Sequence, residues 1–271
     1  MDNKPIDLEQ VINNSNSALL KRLPAIVVRL LIKIIRQEEM NSILNKFSED
    51  TGVQFLPKVL NELNIKLNIT GIENLPDNGK CFFVANHPFG IADGLALTYI
   101  VSNKYGGLKA IGNDVFMLIP QLRPLIAAVN VFGKNYREYL TELEIVYSSE
   151  FPVTHFPAGI VSRIRNGKIE DHDWHKSFIS RSIKHKRNIV PICFNGRNSY
   201  LFYFVYLFRK IFRIKTNLEL VLLPREFFKK RDKTIDIIIG ESISFNTFDD
   251  TKTTWEWAQW TRSQLYGLRR N

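Results

Sequence analysis

The chain has 271 residues, of which 45% are hydrophobic and 24% are charged. This length and composition fit a globular protein with a sizeable core and exclude a disordered chain. The two cysteines, Cys81 and Cys193, are too few for a disulfide framework or a cysteine-rich zinc module, and we expect buried thiols. The first residues are acidic and polar, so we expect no signal peptide, and no apolar run is long enough to span a bilayer.

The formal net charge of +10 is concentrated in two segments, of which residues 18–36 are the first. The basic residues of this segment are Lys21, Arg22, Arg29, Lys33 and Arg36. With Pro24 in its first turn, a helix here places all but Lys21 along one stripe beside a wide apolar face. Such a helix either lies in a membrane interface, where the stripe contacts anionic lipid, or packs on the domain with the stripe in solvent.

The second basic segment covers residues 200–233 and begins with the aromatic run YLFYFVYLFRKIFRIK. Aromatic rings beside cations are typical of the headgroup boundary of a membrane, where we predict contacts by Phe208, Arg209 and Lys210. A buried helix that begins after Ser199 is the first alternative. A site for single-stranded nucleic acid is the second.

Taken in chain order, residues 8–64 predict helices, and a turn cluster at 71–80 precedes a strand at Cys81–Ala85. Further strands are predicted at Leu108–Ile111, Ala127–Phe132, Val153–Phe156, Ile189–Phe194, Leu218–Leu223 and Thr234–Ile239. Helices are predicted at Arg137–Ser148, Trp174–Lys186 and Trp255–Leu268. This alternation predicts an α/β fold with a mostly parallel sheet flanked by helices. We expect an N-terminal helical, membrane-associating extension over residues 1–70 and one catalytic domain over 71–271.

The most informative motif is FFVANHPFGIADG at residues 82–94. A strand ends at His87, and Pro88 and Gly90 prevent a helix from following at once. On a regular helix His87 and Asp93 would lie on different faces, so they meet only if a turn separates them. A carboxylate bonded to one imidazole nitrogen leaves the other as a general base, although a His near an Asp is also a common structural pair.

A second motif, THFPAGIVSRIRNGKI, covers residues 154–169. A strand runs into Phe156 and is followed by a turn around Gly159 that presents Ser162 and Arg163. Backbone N–H groups at such a turn can hold an oxyanion or a phosphate, and Arg163 can add a bidentate contact with an anion. The alternative is an ordinary loop with a solvated arginine.

Other chemistries have weaker signals. His172 and His175, with Asp171 and Asp173 beside them, have metal-ligand spacing, but two further ligands cannot be identified, so we predict no metal site. The Gly-x-Ser-x-Gly motif of hydrolases, a phosphate-binding loop and a dinucleotide fingerprint are missing from the sequence.

Across roughly residues 70–240 these segments resemble the glycerolipid acyltransferase superfamily, which includes lysophosphatidate and glycerol-3-phosphate acyltransferases. His87 and Asp93 match its His-and-Asp motif, and Phe156–Gly159 with Ser162 and Arg163 is similar to its Phe-Pro-Glu-Gly block. Val190-Pro191-Ile192 resembles its late Val-Pro block. The substrate-binding residues that the resemblance implies are Asn86, Gly90, Lys134, Phe156, Pro157, Ala158, Gly159, Ser162, Arg163 and Pro191.

The resemblance also implies a mechanism. His87, oriented by Asp93, would take the proton of an acceptor hydroxyl that attacks an acyl thioester, without a covalent acyl-enzyme. Backbone amides around Gly159 would stabilise the oxyanion, and Arg163 and Lys134 would steer anionic groups of the substrate. The donor would be an acyl carrier protein or coenzyme A thioester, with no other cofactor.

The chain departs from the superfamily pattern at several positions. Five residues separate His87 from Asp93 where four are usual, and Ala158 stands where Glu is usual. Ile160-Val161 replaces a common Thr-Arg pair, and the block NVFGKN leaves Lys134 as its only cation. Fewer cations for phosphate make a phosphorylated glycerol a doubtful acceptor.

These departures resemble one branch of the superfamily, which carries the label hemolysin although its members are O-acyltransferases that complete glycine or ornithine lipids. Asp173–Phe178, NGRNS at 195–199 and the N-terminal KRLP before a basic helix resemble that branch too. The branch implies a peripheral enzyme on the cytoplasmic face of the inner membrane, which binds the membrane surface, a lyso-amino-acid lipid and the thioester donor, and no nucleic acid.

Two alternatives remain at this point. One is a 1-acyl-glycerol-3-phosphate acyltransferase. The other is a non-catalytic protein that binds membranes or nucleic acid through the basic segments alone. The sequence does not predict an oligomeric state.

Overall fold

A computed structural model describes residues 4–14, 21–129 and 136–270 of the chain. Its helices are α1 (Leu8–Asn14), α2 (Ala25–Ile34), α3 (Gln37–Lys46), α4 (Phe55–Glu62), α5 (Ile91–Tyr105), α6 (Tyr136–Ser148), α7 (Ser177–His185), α8 (Tyr200–Ile211), α9 (Leu223–Phe228) and α10 (Thr254–Gly267). Its strands are β1 (Lys66–Thr70), β2 (Cys81–Ala85), β3 (Lys109–Asn113), β4 (Ile126–Val129), β5 (Val153–His155), β6 (Arg163–Arg165), β7 (Lys168–Glu170), β8 (Asn188–Asn195) and β9 (Thr234–Ile239).

Seven strands form one sheet in the order β1-β9-β8-β2-β5-β3-β4. Neighbouring strands are parallel except for β8 and β9, which are antiparallel. The remaining two strands, β6 and β7, form a separate antiparallel hairpin. The predicted α/β fold with a mostly parallel sheet is therefore confirmed.

The central strand β2 is apolar throughout because helices cover both faces of the sheet. All five residues of β2 are buried, including Cys81, and Cys193 is buried in β8. Successive strand residues point to opposite faces, so Phe83 joins the core beneath α4 and α5 while Phe82 joins the core beneath α7 and α10. The carboxyl edge of this sheet lies between two cores.

Two predictions about the elements need correction or adjustment. The strand predicted at Leu218–Leu223 is wrong, because 218–222 forms a 3-10 helix that leads into α9. A short apolar run does not distinguish a strand from a helix, and Pro224 fits the first turn of α9. The sheet also begins earlier than expected, since β1 lies within the predicted N-terminal extension yet pairs with β9.

The aromatic segment forms helix α8, which has one face in the core and one face exposed, so it combines the buried helix and the surface helix that the sequence left open. Phe202, Tyr203 and Tyr206 are buried in a small core, whereas Phe204 and Phe208 on the other face are exposed. Helix α2 has no buried residue, and its Ile26 is 76% exposed. Within the described ranges no helix combines the length and apolarity that a membrane span requires.

Candidate active site

The sheet brings the two sequence motifs together at its carboxyl edge. His87 follows β2 and Phe156 follows β5, and these two strands are parallel neighbours. Loops that leave the same edge of a parallel sheet commonly form binding sites. The rings of His87 and Phe156 stack here with their centroids 4.0 Å apart and their planes 26° apart.

A turn joins His87 to Asp93, as the sequence requires. The Nδ1 atom of His87 lies 2.9 Å from Oδ2 of Asp93. The backbone N–H groups of Phe89 and Gly90 donate to the same oxygen at 2.8 and 2.9 Å. Gly90 has φ +89°, a conformation that favours glycine, and it is the N-cap residue of α5, so Asp93 also caps this helix. The additional residue of the motif therefore leaves the His–Asp hydrogen bond intact.

This hydrogen bond determines the tautomer of His87. An ionised Asp93 only accepts hydrogen bonds, so Nδ1 of the neutral imidazole carries the proton and Nε2 has a free lone pair. Asp93 is fully buried, while the side chain of His87 is 18% exposed. The pair thus has one buried carboxylate and one accessible base.

A second buried carboxylate, Asp171, holds the main chain of His87. Its Oδ1 accepts from the His87 N–H at 3.1 Å and from the Ser162 hydroxyl at 2.6 Å. Its Oδ2 accepts from the Trp174 indole at 2.9 Å. The Ser162 N–H donates to the His87 carbonyl at 2.8 Å, so both main-chain groups of His87 are fixed. Burial raises the pKa of Asp171, and its donors oppose that shift.

Sequence reasoning noted Asp171 only as a neighbour of two histidines with metal-ligand spacing. The structure directs its carboxylate to His87, Ser162 and Trp174 instead. Across the part of the chain that is described, no cluster of three or more His, Cys, Asp or Glu side chains could hold a metal ion.

The site opens on a cavity of about 800 Å³ that is lined mainly by apolar side chains. One group of lining residues, including Met40, Phe55 and Leu56, belongs to α3 and α4. A second group, including Leu143 and Arg181, belongs to α6 and α7 on the other face of the sheet. His87 and residues of the loops that follow β2 and β5 line the same cavity and connect these two groups of lining residues.

The other predicted site residues fall into two sets. Gly90, Phe156, Pro157 and Gly159 line the cavity with His87. Asn86, Ala158, Ser162, Arg163 and Pro191 lie within the described ranges and are not among its lining residues. Lys134 lies outside the described residues.

Asn86 and Gly159, one from each set, form hydrogen bonds that show what each residue does in the local structure. The side chain of Asn86 accepts from the Phe194 N–H at 2.7 Å and donates to the Phe194 carbonyl at 2.9 Å, which joins the ends of β2 and β8. The Gly159 N–H donates to the Phe156 carbonyl at 2.9 Å. This amide is occupied within the turn and is therefore not free to donate to an oxyanion.

Arg163 is buried away from the cavity. Its Nη2 lies 3.0 Å from Oε1 of Glu219, and Nε of Arg209 lies 2.9 Å from Oε2 of the same carboxylate. Burial lowers the pKa of Arg163, and the negative charge of Glu219 opposes that shift. Sequence reasoning assigned Arg163 to an anionic substrate and Arg209 to a membrane, whereas the structure directs both guanidinium groups to Glu219.

Comparison with known proteins adds evidence that is independent of this geometry. A family model described as "Acyltransferase" matches residues 10–271. The chain belongs to the acyltransferase family. Two curated relatives of this acyltransferase are lyso-glycine lipid O-acyltransferases. The protein from Phocaeicola vulgatus is 39% identical over 264 residues, which cover 97% of this chain and 95% of the relative. The protein from Bacteroides thetaiotaomicron is 38% identical over 264 residues, with 97% of each chain covered.

These relatives confirm the resemblance to lipid acyltransferases. Among solved structures, 1-acyl-sn-glycerophosphate acyltransferase from Thermotoga maritima is similar with a TM-score of 0.46 and 14% sequence identity. That alignment covers 89% of this chain and 95% of the other.

Proposed function

We propose that this acyltransferase moves a fatty acyl group from a thioester to the hydroxyl of a lyso-amino-acid lipid of the glycine-lipid type. The observation that carries the proposal is the His87–Asp93 pair, whose accessible imidazole lines a large apolar cavity. A cavity of this size and lining suits hydrocarbon chains. The names of the two curated relatives support the choice of acceptor.

In the proposed reaction, Nε2 of His87 takes the proton as the acceptor hydroxyl oxygen attacks the thioester carbonyl. Asp93 stabilises the imidazolium that forms, because its charge lies 2.9 Å from Nδ1. The tetrahedral intermediate then collapses, its carbon–sulfur bond breaks, and the imidazolium returns the proton to the departing thiolate. No covalent acyl-enzyme is needed, because a thioester is already activated.

The donor in this proposal is a thioester of acyl carrier protein or coenzyme A, and no other cofactor takes part. The arrangement of His87 suits either donor, since the base acts on the acceptor hydroxyl. A purified system that supplies each thioester separately distinguishes the two.

We also propose that the enzyme works on a membrane surface, at the cytoplasmic face of the inner membrane. Helices α2 and α8 both contact the 3-10 helix at 218–222 and present exposed apolar side chains, among them Ile26, Leu30, Phe204 and Phe208. Exposed cations on the same helices and beside them are Arg22, Arg29, Lys33, Arg36 and Lys210. Arg209 adds little to this surface because Glu219 binds its guanidinium.

A bilayer location has an energetic reason. Extracting an acceptor chain of ~14 methylenes into water would cost over ~10 kcal/mol at about 0.8 kcal/mol for each methylene. An enzyme that rests on the bilayer avoids this cost. Apolar rings supply hydrophobic contact there, and each cation near anionic lipid adds about 1 kcal/mol.

The decisive experiment offers purified protein both thioesters together with lyso-glycine lipid, lyso-ornithine lipid and lysophosphatidate. We expect transfer to lyso-glycine lipid with the highest kcat/KM. No transfer to any lyso-lipid would overturn the proposal, and equal or better use of lysophosphatidate would overturn the choice of acceptor. A non-catalytic membrane protein would bind liposomes equally well with His87→Ala and show no turnover before or after the substitution.

A further inference from the structure

Arg181 is the charged side chain of the cavity. Among the described residues that line it, Arg181 is the sole Asp, Glu, Lys or Arg side chain. Among the described lining residues, the polar side chains nearest to it along the chain are His175 and Ser177. A single cation in a mostly apolar cavity identifies the position where an anionic group of a substrate gains most.

The loop that follows β5 separates Arg181 from His87. Phe156 stacks on His87, and Pro157 accepts a hydrogen bond from the His175 N–H at 3.0 Å. Helix α7 begins at Ser177, and Arg181 lies one turn further on the same face of that helix. The base and the cation therefore line one continuous space on either side of the loop that follows β5.

The environment of Arg181 keeps positive charge in excess. Its Nη1 lies 2.6 Å from Oε2 of Glu144, and this carboxylate also binds Lys184. The hydrogen bond from Lys184, followed by the nearby charges of Arg181 and others, holds the pKa of Glu144 below its usual range. Arg181 and Lys184 are both permanent cations and share this one carboxylate, so these three side chains together have a net charge of +1.

The rest of the guanidinium has suitable geometry for an anion. Its carbon Cζ lies 5.6 Å from the centroid of the Tyr147 ring, which helps to fix its plane. The side chain is 33% exposed and lines the cavity, so a ligand there can reach the guanidinium. An arginine fork binds a carboxylate through two parallel hydrogen bonds, which an ammonium group cannot do.

We propose that Arg181 binds the carboxylate of the acceptor's amino-acid head group while the acceptor hydroxyl lies at Nε2 of His87. This inference rests on the proposed function and specifies how that site recognises its substrate. Glycine joined to a lipid through its amine has one charge, its carboxylate, which complements the net positive charge of Arg181, Lys184 and Glu144 together. An ornithine head group has an additional amine, which the excess positive charge disfavours.

The test compares acceptors with and without the carboxylate. For lyso-glycine lipid, Arg181→Ala raises KM about tenfold to a hundredfold, because a hydrogen-bonded charge pair is lost. We expect kcat to change less than about threefold, since Arg181 does not touch the reacting atoms. For the same acceptor with its carboxylate converted to a primary amide, the wild-type KM is already raised, and Arg181→Ala raises it no further.

Two further variants serve as controls. Lys176→Ala removes an exposed cation that precedes α7, is not among the described lining residues and is not paired with Glu144, so KM for lyso-glycine lipid stays near the wild-type value. Arg181→Lys retains the charge without the fork and gives an intermediate KM. Thermal unfolding of each variant establishes that it is folded.

Two results would overturn the inference alone. An equal rise in KM for the acid and the amide would show that Arg181 only shapes the wall, and an unchanged KM would show that it does not contact the acceptor. In both cases wild-type turnover of the lyso-lipid leaves the proposed function standing. A wild-type protein that acylates no lyso-lipid would overturn the proposed function and this inference together.

Discussion

His87 and Arg163 lie at the same edge of the sheet, and each binds a fully buried carboxylate at about 3 Å. Their surroundings differ. Asp93 is also bound by two backbone amides, and His87 keeps a nitrogen for the cavity. Glu219 is shared by two guanidinium groups, and the Phe202 and Tyr206 rings cover Arg163. A motif residue is available for chemistry only when its own protein partners leave one of its polar groups unpaired.

The largest expected effect is a loss of activity, and it distinguishes the His87 cluster (His87 and Asp93) from the Arg163 cluster (Arg163, Arg209 and Glu219). His87→Ala lowers kcat about 10²-fold to 10⁴-fold, because a general base contributes that much. Acyl transfer to lyso-glycine lipid measures the loss, and flotation with anionic liposomes serves as the control for folding and membrane binding. A kcat within threefold of wild type would remove His87 from the reaction.

The second effect is a loss of stability, which we expect when the Arg163 cluster is disrupted. Glu219→Gln leaves two buried guanidinium groups without their carboxylate, so the free energy of unfolding falls by about 3 to 5 kcal/mol. Urea denaturation measures the change. The matched control is Glu62→Gln, which breaks an exposed pair with Lys46 and costs less than about 1 kcal/mol. Equal losses in the two variants would contradict a buried, structural role for Glu219.

A third effect concerns the exposed face of α8, which covers the Arg163 cluster on its other side. Replacing both Phe204 and Phe208 with Ser lowers partitioning into liposomes at least about tenfold, since burying one Phe contributes about 1.5 to 3 kcal/mol. The matched control is Phe151→Ser, an exposed ring that precedes β5. A similar loss in both variants, or no loss in either, would argue against α8 as the membrane contact.

The smallest effect involves His155, which lies at the same edge of the sheet and has no acidic partner among the residues described. Burial, with a contribution from His175, lowers the pKa of His155 to about 4. The pKa of an unfolded histidine is about 6.5. At pH values between about 6.5 and 4, the unfolded chain therefore binds more protons at His155 than the folded protein does, and the free energy of unfolding falls as the pH falls. We expect His155→Phe to remove a pH-dependent loss on the order of 2 kcal/mol at pH 4.5. Urea denaturation at pH 7 and 4.5 checks this, and parallel losses in both proteins would contradict it.

What the sequence could predict depended on distance along the chain. The His87–Asp93 contact spans six residues and has a local turn signal, so it could be anticipated. Asp171 lies 84 residues from His87, and Glu219 lies 56 residues from Arg163, and no spacing rule links such pairs. The strand ends could be placed from apolar runs, whereas the cavity arises only when helices from both faces of the sheet come together.

The same reasoning explains the aromatic segment. Its composition could not decide between core and surface, because α8 uses one face for each. The 3.6-residue period separates Phe202 from Phe204 across the helix, but only the position of its neighbours determines which face is covered.

The residues of α3 and α4 that line the cavity have a consequence for how the substrate preference of this enzyme can change. Leu56 and Val59 limit the cavity, yet neither contributes a hydrogen bond to His87, Asp93 or Asp171. Exchanging them for larger or smaller apolar residues alters the volume of the cavity and leaves the His87–Asp93 hydrogen bond in place. The proposed function therefore implies that preference for long or short chains and catalytic power are separately mutable traits, encoded in different parts of the gene.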